Sequence, residues 1–310
     1  MDLKRLGCGR HTDRVDAARL AKMLAIGTLP PVWVPPQPMR EVRRLLYCRA
    51  RLASSRLRAI NQAKVVLRRA GHVLPREADV RRWLTPERLS ALPASDRVIL
   101  LSTCRQITTL EAEIDGIDGE IAHCVADVPA VQVLLTITGV GLITAAATWA
   151  ILGDPHRFPR AKQVARYAGL DPSIVQSGEQ HRQGRISKAG SPLLRTLLVE
   201  AAHSLARWDS GPLGQFYARK AQEAGPRKAI IALARKLLVV AWRMLQTGEV
   251  YRAARTTTVT RKQRELHTKI RIETGSMLLD QDLAYATRRL RARAKRMEGL
   301  MNRRRTLVSP

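Results

Sequence analysis

The chain is poor in aromatic residues, cysteines and acidic side chains, and each shortage excludes a class of protein. Aromatic residues make up 4% of its 310 residues, so stacking of single-stranded bases is not its main way of binding a partner. The four cysteines are widely spaced and form no Cys-x-x-Cys pair, so we expect neither a zinc site nor a disulfide framework. No uncharged apolar run reaches roughly 18 residues, and the first residues lack an apolar core, so we expect no membrane span and no secretory signal.

The shortage of acidic residues has the clearest implication. The chain has 26 Asp and Glu against 54 Lys and Arg, a formal net charge of +28. Arginine dominates this excess, and its planar guanidinium is well suited to phosphate groups. The hydrophobic fraction of 45% is that of a folded protein. We therefore expect a globular protein with an anionic partner, and nucleic acid is the first candidate.

Hydrophobic periodicity predicts a mainly α-helical chain. A helix begins at Thr12 and ends near Gly27, and the proline-rich stretch at 29–38 allows at most a short edge strand. Two long helices follow, at 39–70 and 94–127, and apolar residues of the second recur in alternating three- and four-residue steps. Together these helices predict an antiparallel coiled-coil arm. The apolar stripe of the first long helix is predicted to contain Val42, Leu46, Ala53, Leu57, Ile60 and Leu67.

The second half of the chain predicts shorter elements. An Ala-rich helix precedes Gly153, an irregular stretch follows at 169–190, and further helices are expected at 191–208 and 228–246. Residues 251–310 contain 16 Lys and Arg against 5 Asp and Glu, and we expect much of this tail to be poorly ordered.

The first candidate site is the pair Asp13 and Asp16, which lie three residues apart on one face of the first predicted helix. Two carboxylates in that arrangement can share a Mg²⁺ ion, and metal-assisted phosphodiester chemistry needs such oxygen ligands. The alternative is structural, because acidic residues in a first helical turn are favoured by the helix dipole.

The second candidate site is Gly139-Val140-Gly141, between two predicted helices. A tight glycine turn exposes backbone N–H groups at a helix N-terminus, where they can hold a phosphate. This arrangement resembles the hairpin of helix-hairpin-helix DNA-binding elements. Alternatively, Gly139 and Gly141 let two helices pack closely, and the sequence does not decide between the two interpretations.

The third candidate site is the glycine-containing basic stretch 176–190. It holds two serines and four basic or titratable residues: Ser177, Ser187, His181, Arg182, Arg185 and Lys188. A serine hydroxyl can attack a phosphodiester where a base or metal activates it and cations stabilise the developing charge. A turn or a simple phosphate contact is the alternative, and for His181 we expect a phosphate contact rather than a general base.

Taken in order, these segments resemble a known family. The matching motifs are His11-Thr12-Asp13-Arg14-Val15-Asp16-Ala17, the run Leu29 to Pro35, Ile137-Thr138-Gly139-Val140-Gly141, Tyr167-Ala168-Gly169-Leu170-Asp171-Pro172, Ser177-Gly178, Gly184-Arg185-Ile186-Ser187-Lys188-Ala189-Gly190, Leu194-Arg195 and Ala234-Arg235-Lys236-Leu237-Leu238. They resemble the DEDD-type insertion-sequence transposases of the insertion sequence 110/116/902 group, which are related to the Piv/MooV-type DNA invertases. The resemblance covers roughly residues 4–251.

The resemblance implies a RuvC-like domain with four acidic metal ligands, a coiled-coil arm, and a second, helical domain with a nucleophilic serine. Asp13 and Asp16 resemble the last two of those acids, and Ser177 resembles the nucleophile, with Ser187 as the runner-up. In that scheme Mg²⁺ on the acids and the serine together form a covalent serine–DNA intermediate during strand exchange.

The resemblance also implies partners. These are double-stranded DNA at the element ends and target, a structured guide RNA, and further copies of the chain in a homo-oligomer, without a membrane. It implies a cytoplasmic, nucleoid-associated location in a prokaryote. The residues expected to contact nucleic acid are Gly139, Gly141, Arg182, Arg185, Ser187, Lys188 and Arg195.

Four domains are expected. They are a C-terminal remnant of the RuvC-like domain at 1–38, the arm at 39–128, a serine-containing transposase domain with a helix-hairpin-helix-like element at 129–251, and a partly disordered basic tail at 252–310. Only twelve residues precede Asp13, whereas the family's first two acids lie upstream of this helix. The resemblance therefore implies an N-terminally truncated chain that holds Mg²⁺ weakly or not at all and does not recombine DNA alone. The alternatives are a non-catalytic, basic nucleic-acid-binding relic or regulator, and an RNA-structure scaffold such as a ribosome-associated protein.

Overall fold

The computed structural model describes residues 12–29, 32–177 and 180–273, with side chains at all of these except 173–185 and 271–273. Its elements are α1 (Asp13–Ala25), α2 (Gln37–Arg69), α3 (Val80–Trp83), α4 (Pro86–Ser90), α5 (Ala94–Val125), α6 (Pro129–Leu135), α7 (Leu142–Leu152), a 3₁₀ turn (Pro155–Arg157), α8 (Ala161–Tyr167), β1 (Pro172–Ser177), β2 (Gln180–Ile186), α9 (Pro192–Trp208), α10 (Pro212–Ala224), α11 (Pro226–Thr247) and α12 (Thr256–Glu273). The prediction of a mainly α chain is confirmed.

The chain divides into two compact units, one ending at Pro36 and one beginning at Gln37. In the first unit, the Thr12 hydroxyl caps α1 by accepting a hydrogen bond from the Val15 amide at 3.4 Å. None of the residues of α1 is buried. Residues 32–36 form neither helix nor strand, in line with the prolines that surround them.

In the second unit, α2 and α5 pack side by side and run antiparallel. Arg49 pairs with Asp118, and Arg56 donates to Glu111 at 2.7 Å. The second pair lies seven residues further along α2 and seven residues back along α5, a step of about two helical turns on each. The coiled-coil geometry of this pair of helices stays a prediction.

The buried face of α2 differs from the predicted stripe. Val42, Leu46 and Leu67 are buried as expected, but Leu57 is 58% exposed. The residues buried in its place are Ala59, Ala63 and Val66. Small alanine side chains let two helices approach closely, and hydrophobicity alone ranks them below leucine. The assignment of Leu57 to the contact face was therefore wrong.

The core of the second unit surrounds α7. Most of this helix is buried, including Thr144, Ala145, Ala146, Ala147, Thr148, Ala150, Ile151 and Leu152. It contacts α2, α5, α6, α9 and α11. A helix that is apolar on every side is stable only inside such a ring of neighbours. A smaller core, formed by Ala63, Val66, Leu67, Val80, Leu92 and Leu100, joins the end of α2 to the start of α5.

Two segments differ from what the sequence predicted. The stretch 169–190, expected to be irregular, contains the two-stranded antiparallel hairpin β1–β2. Residues 256–273, in the tail expected to be poorly ordered, form α12, which packs against α5. Buried residues of α12 recur at three- and four-residue steps, at Val259, Lys262 and Leu266. This periodicity is concealed in the sequence because one of the three is a lysine.

The described residues contain no helix with both the length and the apolar character needed to cross a membrane.

Candidate active site and nucleic-acid contacts

The Ser-Gly motif lies at the tip of the hairpin. Ser177 is the last residue of β1, and its Cα partner across the ladder is Gln180, the first residue of β2. Residues 178 and 179, which join the strands, lie outside the described residues. The prediction of an irregular loop is wrong because the β-branched pair Ile174 and Val175 provides a strand that polar residues can pair with.

The register of the hairpin sorts its residues between two faces. Paired residues of an antiparallel ladder share a face, and successive residues alternate between faces. Arg182 pairs with Val175, which places it on the same face as Ser177. His181 pairs with Gln176 and belongs to the other face. A basic residue therefore shares the face of the serine, whereas the nearest histidine does not.

The base of the hairpin is closed by Asp171 and Ser187. The Ser187 amide donates to the Asp171 carbonyl at 2.8 Å, and the Ser187 hydroxyl donates to the Asp171 carboxylate. The same hydroxyl accepts from the Ala189 amide at 3.4 Å. Ser187 is thus engaged in holding the hairpin. Sequence reasoning gave Asp171 no role, although its place between the Gly169 turn and Pro172 marks it as the start of the strand.

The residues after β2 cross the segment before β1 at very close range. A Cβ on Gly190 would lie 2.0 Å from the Tyr167 carbonyl oxygen and 2.6 Å from the amide nitrogen of Gly169. Arg195 donates from Nη1 to the Ala168 carbonyl at 3.3 Å. The Gly-Arg-Ile-Ser-Lys-Ala-Gly motif therefore anchors the hairpin. Lys188 of this motif is exposed and has a φ of 54°.

The two glycines of the Gly-Val-Gly turn differ in their surroundings. Gly139 has a φ of 77°, and a Cβ there would lie 3.0 Å from the Ala201 carbonyl oxygen on α9. Gly141 caps α7, is exposed, and has no heavy atom within 4 Å of a Cβ built on it. The surroundings of Gly139 thus support the interpretation that it lets two helices pack closely. Of the two glycines, Gly141 is the one with free space for a phosphate, at the N-terminus of α7.

A buried lysine that sequence reasoning missed lies beside this turn. Lys262 of α12 is 6% exposed and donates from Nζ to the carbonyls of Leu135 and Ile137, at 2.9 and 2.5 Å. Burial, with a smaller effect of Arg261, lowers the pKa of Lys262 to about 8. Lys262 and Gly141 line one cavity of about 230 Å³. The lysine holds the end of α6 and adds positive charge near the start of α7.

Asp13 and Asp16 lie in the first turn of α1. Two carboxylates fit a magnesium site as two of its roughly six oxygen ligands. Within the described residues, no group of three or more His, Cys, Asp or Glu side chains is placed to hold a metal ion. The acids belong to the unit that ends at Pro36, and Ser177 belongs to the unit that begins at Gln37. Their meeting around one phosphate stays a prediction.

Comparison with known proteins identifies relatives of this chain. The model of the Transposase IS116/IS110/IS902 family matches residues 131–218. The chain is 30% identical over 254 residues to the transposase for insertion sequence element IS1111A of Coxiella burnetii, which covers 77% of this chain and 68% of that protein. It is 31% identical over 274 residues to the putative transposase y4rJ of Sinorhizobium fredii, covering 78% of this chain and 68% of that protein.

A shorter part of the chain is similar to a protein that is named for DNA inversion rather than for transposition. The pilin gene-inverting protein of Moraxella lacunata is 32% identical over 123 residues, which is 39% of this chain and 38% of that protein. The matched family segment contains the Gly139 turn and the whole hairpin with Ser177. On the extent of these matches, the chain belongs to the IS116/IS110/IS902 family of insertion-sequence transposases.

Proposed function

We propose that this transposase acts on double-stranded DNA as a site-specific recombinase and that Ser177 is its nucleophile. The observation that carries the proposal is the position of Ser177 at the tip of the hairpin, on the face that also holds Arg182. The rest of the motif supports this choice, because Ser187, the other serine considered, is engaged with the Asp171 carboxylate.

In the proposed step, the Ser177 hydroxyl oxygen forms a bond to the phosphorus of a phosphodiester, and the bond from that phosphorus to a deoxyribose oxygen breaks. The hydroxyl proton passes to a base or to water, and the departing deoxyribose oxygen takes up a proton. The product is a phosphoserine ester of the strand. Attack by another deoxyribose hydroxyl reverses the step and rejoins the DNA, so strands are exchanged without hydrolysis.

Positive charge stabilises the crowded phosphate of that step. Arg182 and Arg185 on β2 and the exposed Lys188 just after it are the cations we assign to this role. Mg²⁺ held by Asp13 and Asp16 would add Lewis-acid stabilisation at the phosphate oxygens. Through that ion, the two carboxylates would also position the scissile phosphate relative to the serine.

The partners follow from the same proposal. The relatives are named as transposases of insertion elements and as a gene-inverting protein, and we extend action on DNA from those names to this chain. A net charge of +28 supports binding of a polyanion, and a structured guide RNA would use the same charge. We further propose that the transposase works as a homo-oligomer.

The test is a covalent-adduct assay. Labelled duplex DNA with the element ends is incubated with a form of the transposase that carries all four acids implied by the family resemblance, together with the element's transcript and Mg²⁺, then denatured and resolved by size. We expect Ser177→Ala to abolish a protein-linked DNA species and to retain DNA binding, while the matched Ser187→Ala retains the adduct. If Ser187→Ala removes the adduct and Ser177→Ala does not, the assignment of the nucleophile is wrong.

A second measurement tests the acids without relying on activity. In the same form with all four acids, Asp13→Asn and Asp16→Asn should each reduce the binding of Mn²⁺, which stands in for Mg²⁺ and is measured by calorimetry. Unchanged binding in both variants contradicts the metal assignment and leaves the structural interpretation, in which the two acids only favour the start of α1.

The alternative function is a non-catalytic nucleic-acid-binding protein. The charge of the chain favours it, because +28 accounts for binding without any chemistry. The adduct assay distinguishes the two functions. Tight, salt-sensitive DNA binding with no protein-linked species under any metal condition supports the alternative.

A further inference from the structure

Seven of the nine arginines of α2 fall into an inner and an outer set. The helix carries ten Lys and Arg residues against one acidic residue, Glu41. The inner arginines face α5 and are neutralised there, since Arg49 pairs with Asp118 and Arg56 with Glu111. Helix pairing therefore explains the inner set and leaves the outer set without a structural role.

The outer set forms one straight line. Its members are Arg40, Arg44, Arg51, Arg58 and Arg69, which we call the arginine track. At about 100° per residue they fall within roughly 40° of arc, on the side away from the buried face of the helix. All five are exposed, and within the described part of the chain none of them pairs with a carboxylate. From Arg40 to Arg58 the track spans about 27 Å.

This arrangement works against the helix that carries it. Arg40 and Arg44 are like charges four residues apart, a spacing at which repulsion destabilises a helix. The outward residues of α5 have the opposite character, because Glu113, Asp115 and Glu120 are exposed there. The two long helices therefore give the arm one cationic side and one largely anionic side. A requirement for solubility alone would not separate the charges in this way.

The track runs past a cavity that leads to the hairpin. Tyr47 lies on the line of the track, is 48% exposed, and lines a cavity of about 610 Å³. Arg166 lines the same cavity and is exposed, and within the described residues its side chain makes no hydrogen bond or ion pair. Residues 189–191, which directly follow Lys188, also line this cavity.

We propose that the arginine track binds the phosphodiester backbone of duplex DNA and leads it through the cavity at Tyr47 and Arg166 to the hairpin. This inference rests on the proposed action on DNA. A straight face of about 27 Å matches about eight base-pair steps of B-DNA, and arginine forks suit its phosphates. The anionic side of α5 repels the same duplex, so the arm presents only α2 to it.

The experiment compares two variants of the full chain with equal loss of charge. The track variant is Arg44→Ala, Arg51→Ala and Arg58→Ala. The control variant is Arg105→Ala, Arg252→Ala and Arg264→Ala, three arginines that are also exposed but lie off the track. Binding to a 30-base-pair duplex is followed by fluorescence anisotropy between about 50 and 200 mM salt, and the slope of log affinity against log salt counts the phosphate contacts.

We expect the slope to fall by about 2 to 3 for the track variant, at about 0.9 per lost phosphate contact, and to stay within about 0.5 for the control. Arg166→Gln alone should lower the slope by about 1. Equal losses in the two triple variants would overturn the proposal, since only the overall charge would then matter. An unchanged slope for DNA would also overturn the proposal. This holds even if the track variant loses binding to double-stranded RNA, or loses self-association measured by sedimentation.

The outcome is separable from that of the proposed function. If Ser177 forms no DNA adduct but the salt-dependence slope of the track variant falls as expected, the recombinase proposal is wrong and the DNA-binding role of the track is supported. If the adduct forms and the track variant has the same salt-dependence slope as the unaltered chain, the DNA-binding role of the track is wrong and the recombinase proposal is supported. Circular dichroism of both triple variants checks that the helices are retained, since all six positions are solvent-exposed.

Discussion

Asp118 connects three helices, and its removal is the sharpest test of the tertiary structure. Its carboxylate on α5 pairs with Arg49 of α2 and with Lys269 of α12, the latter at 3.1 Å. The side chain of Asp118 is 8% exposed, so water cannot replace either partner at the carboxylate. We predict that Asp118→Ala loosens the attachment of both α2 and α12 to α5.

The size of the effect follows from the exposure of the partners. Removing one member of a fully buried ion pair costs about 3–5 kcal/mol, because the other charge is left unpaired. Here the side chains of Arg49 and Lys269 are 25% and 33% exposed, so each cation regains some hydration. We therefore expect the free energy of unfolding to fall by about 2–4 kcal/mol.

The assay is urea unfolding followed by circular dichroism, with Glu265→Ala as the matched control. Glu265 pairs with Arg261 on the surface, with side chains 54% and 64% exposed, and such pairs contribute about 0.3–0.5 kcal/mol. Both variants remove one carboxylate from a helix, so the comparison isolates burial. A loss for Asp118→Ala no larger than that for Glu265→Ala would refute the reasoning.

Three further predictions concern single residues. Lys262→Met should remove a pH dependence: the lysine pKa is about 8 in the folded chain against an ordinary value of 10.5, so between these values the unfolded chain binds more protons and wild-type stability relative to the variant rises with pH. A difference in urea midpoint that is flat from pH 8 to 10.5 contradicts the burial of its amine. Gly139→Ala should cost about 2 kcal/mol or more in thermal or urea unfolding, because it combines a left-handed backbone with a close contact to α9, whereas Gly141→Ala should cost less than about 1 kcal/mol; equal effects would be inconsistent with the packing described. Gly190→Ala should displace the hairpin and abolish the proposed Ser177 adduct while the helical circular dichroism signal is retained. An active Gly190→Ala enzyme would show that position 190 has more room than the 2.0 Å between a Cβ built there and the Tyr167 carbonyl oxygen.

Local signals account for the elements that sequence reasoning found. The Thr12 cap and the Ser191-Pro192 start mark the N-termini of α1 and α9 within a residue or two. The helices α2, α5 and α11 likewise form where their long apolar patterns predict them, although the buried face of α2 differs from the predicted stripe. These helices are predictable because capping and periodicity are properties of neighbouring residues.

Elements that depend on distant partners were missed or misassigned. The hairpin has no alternation of apolar and polar residues, and its base is held by a contact between Asp171 and Ser187 that lie 16 residues apart. The helix α12 joins the core through Lys262 and Lys269, whose partners lie more than 120 residues earlier in the chain. In the sequence, charged residues of this kind are indistinguishable from those of a solvent-exposed tail until their partners are known.

The family and the mainly helical character follow from the amino-acid sequence alone, since ordered motifs and periodicity do not require coordinates. Tertiary structure decided which of two similar residues takes which role. It engaged Ser187 with a carboxylate, packed Gly139 and left Gly141 open, and divided the arginines of α2 between an ion-paired side and an exposed one. The reason is physical: charge and residue type are local properties, whereas burial and pairing depend on what the fold brings alongside.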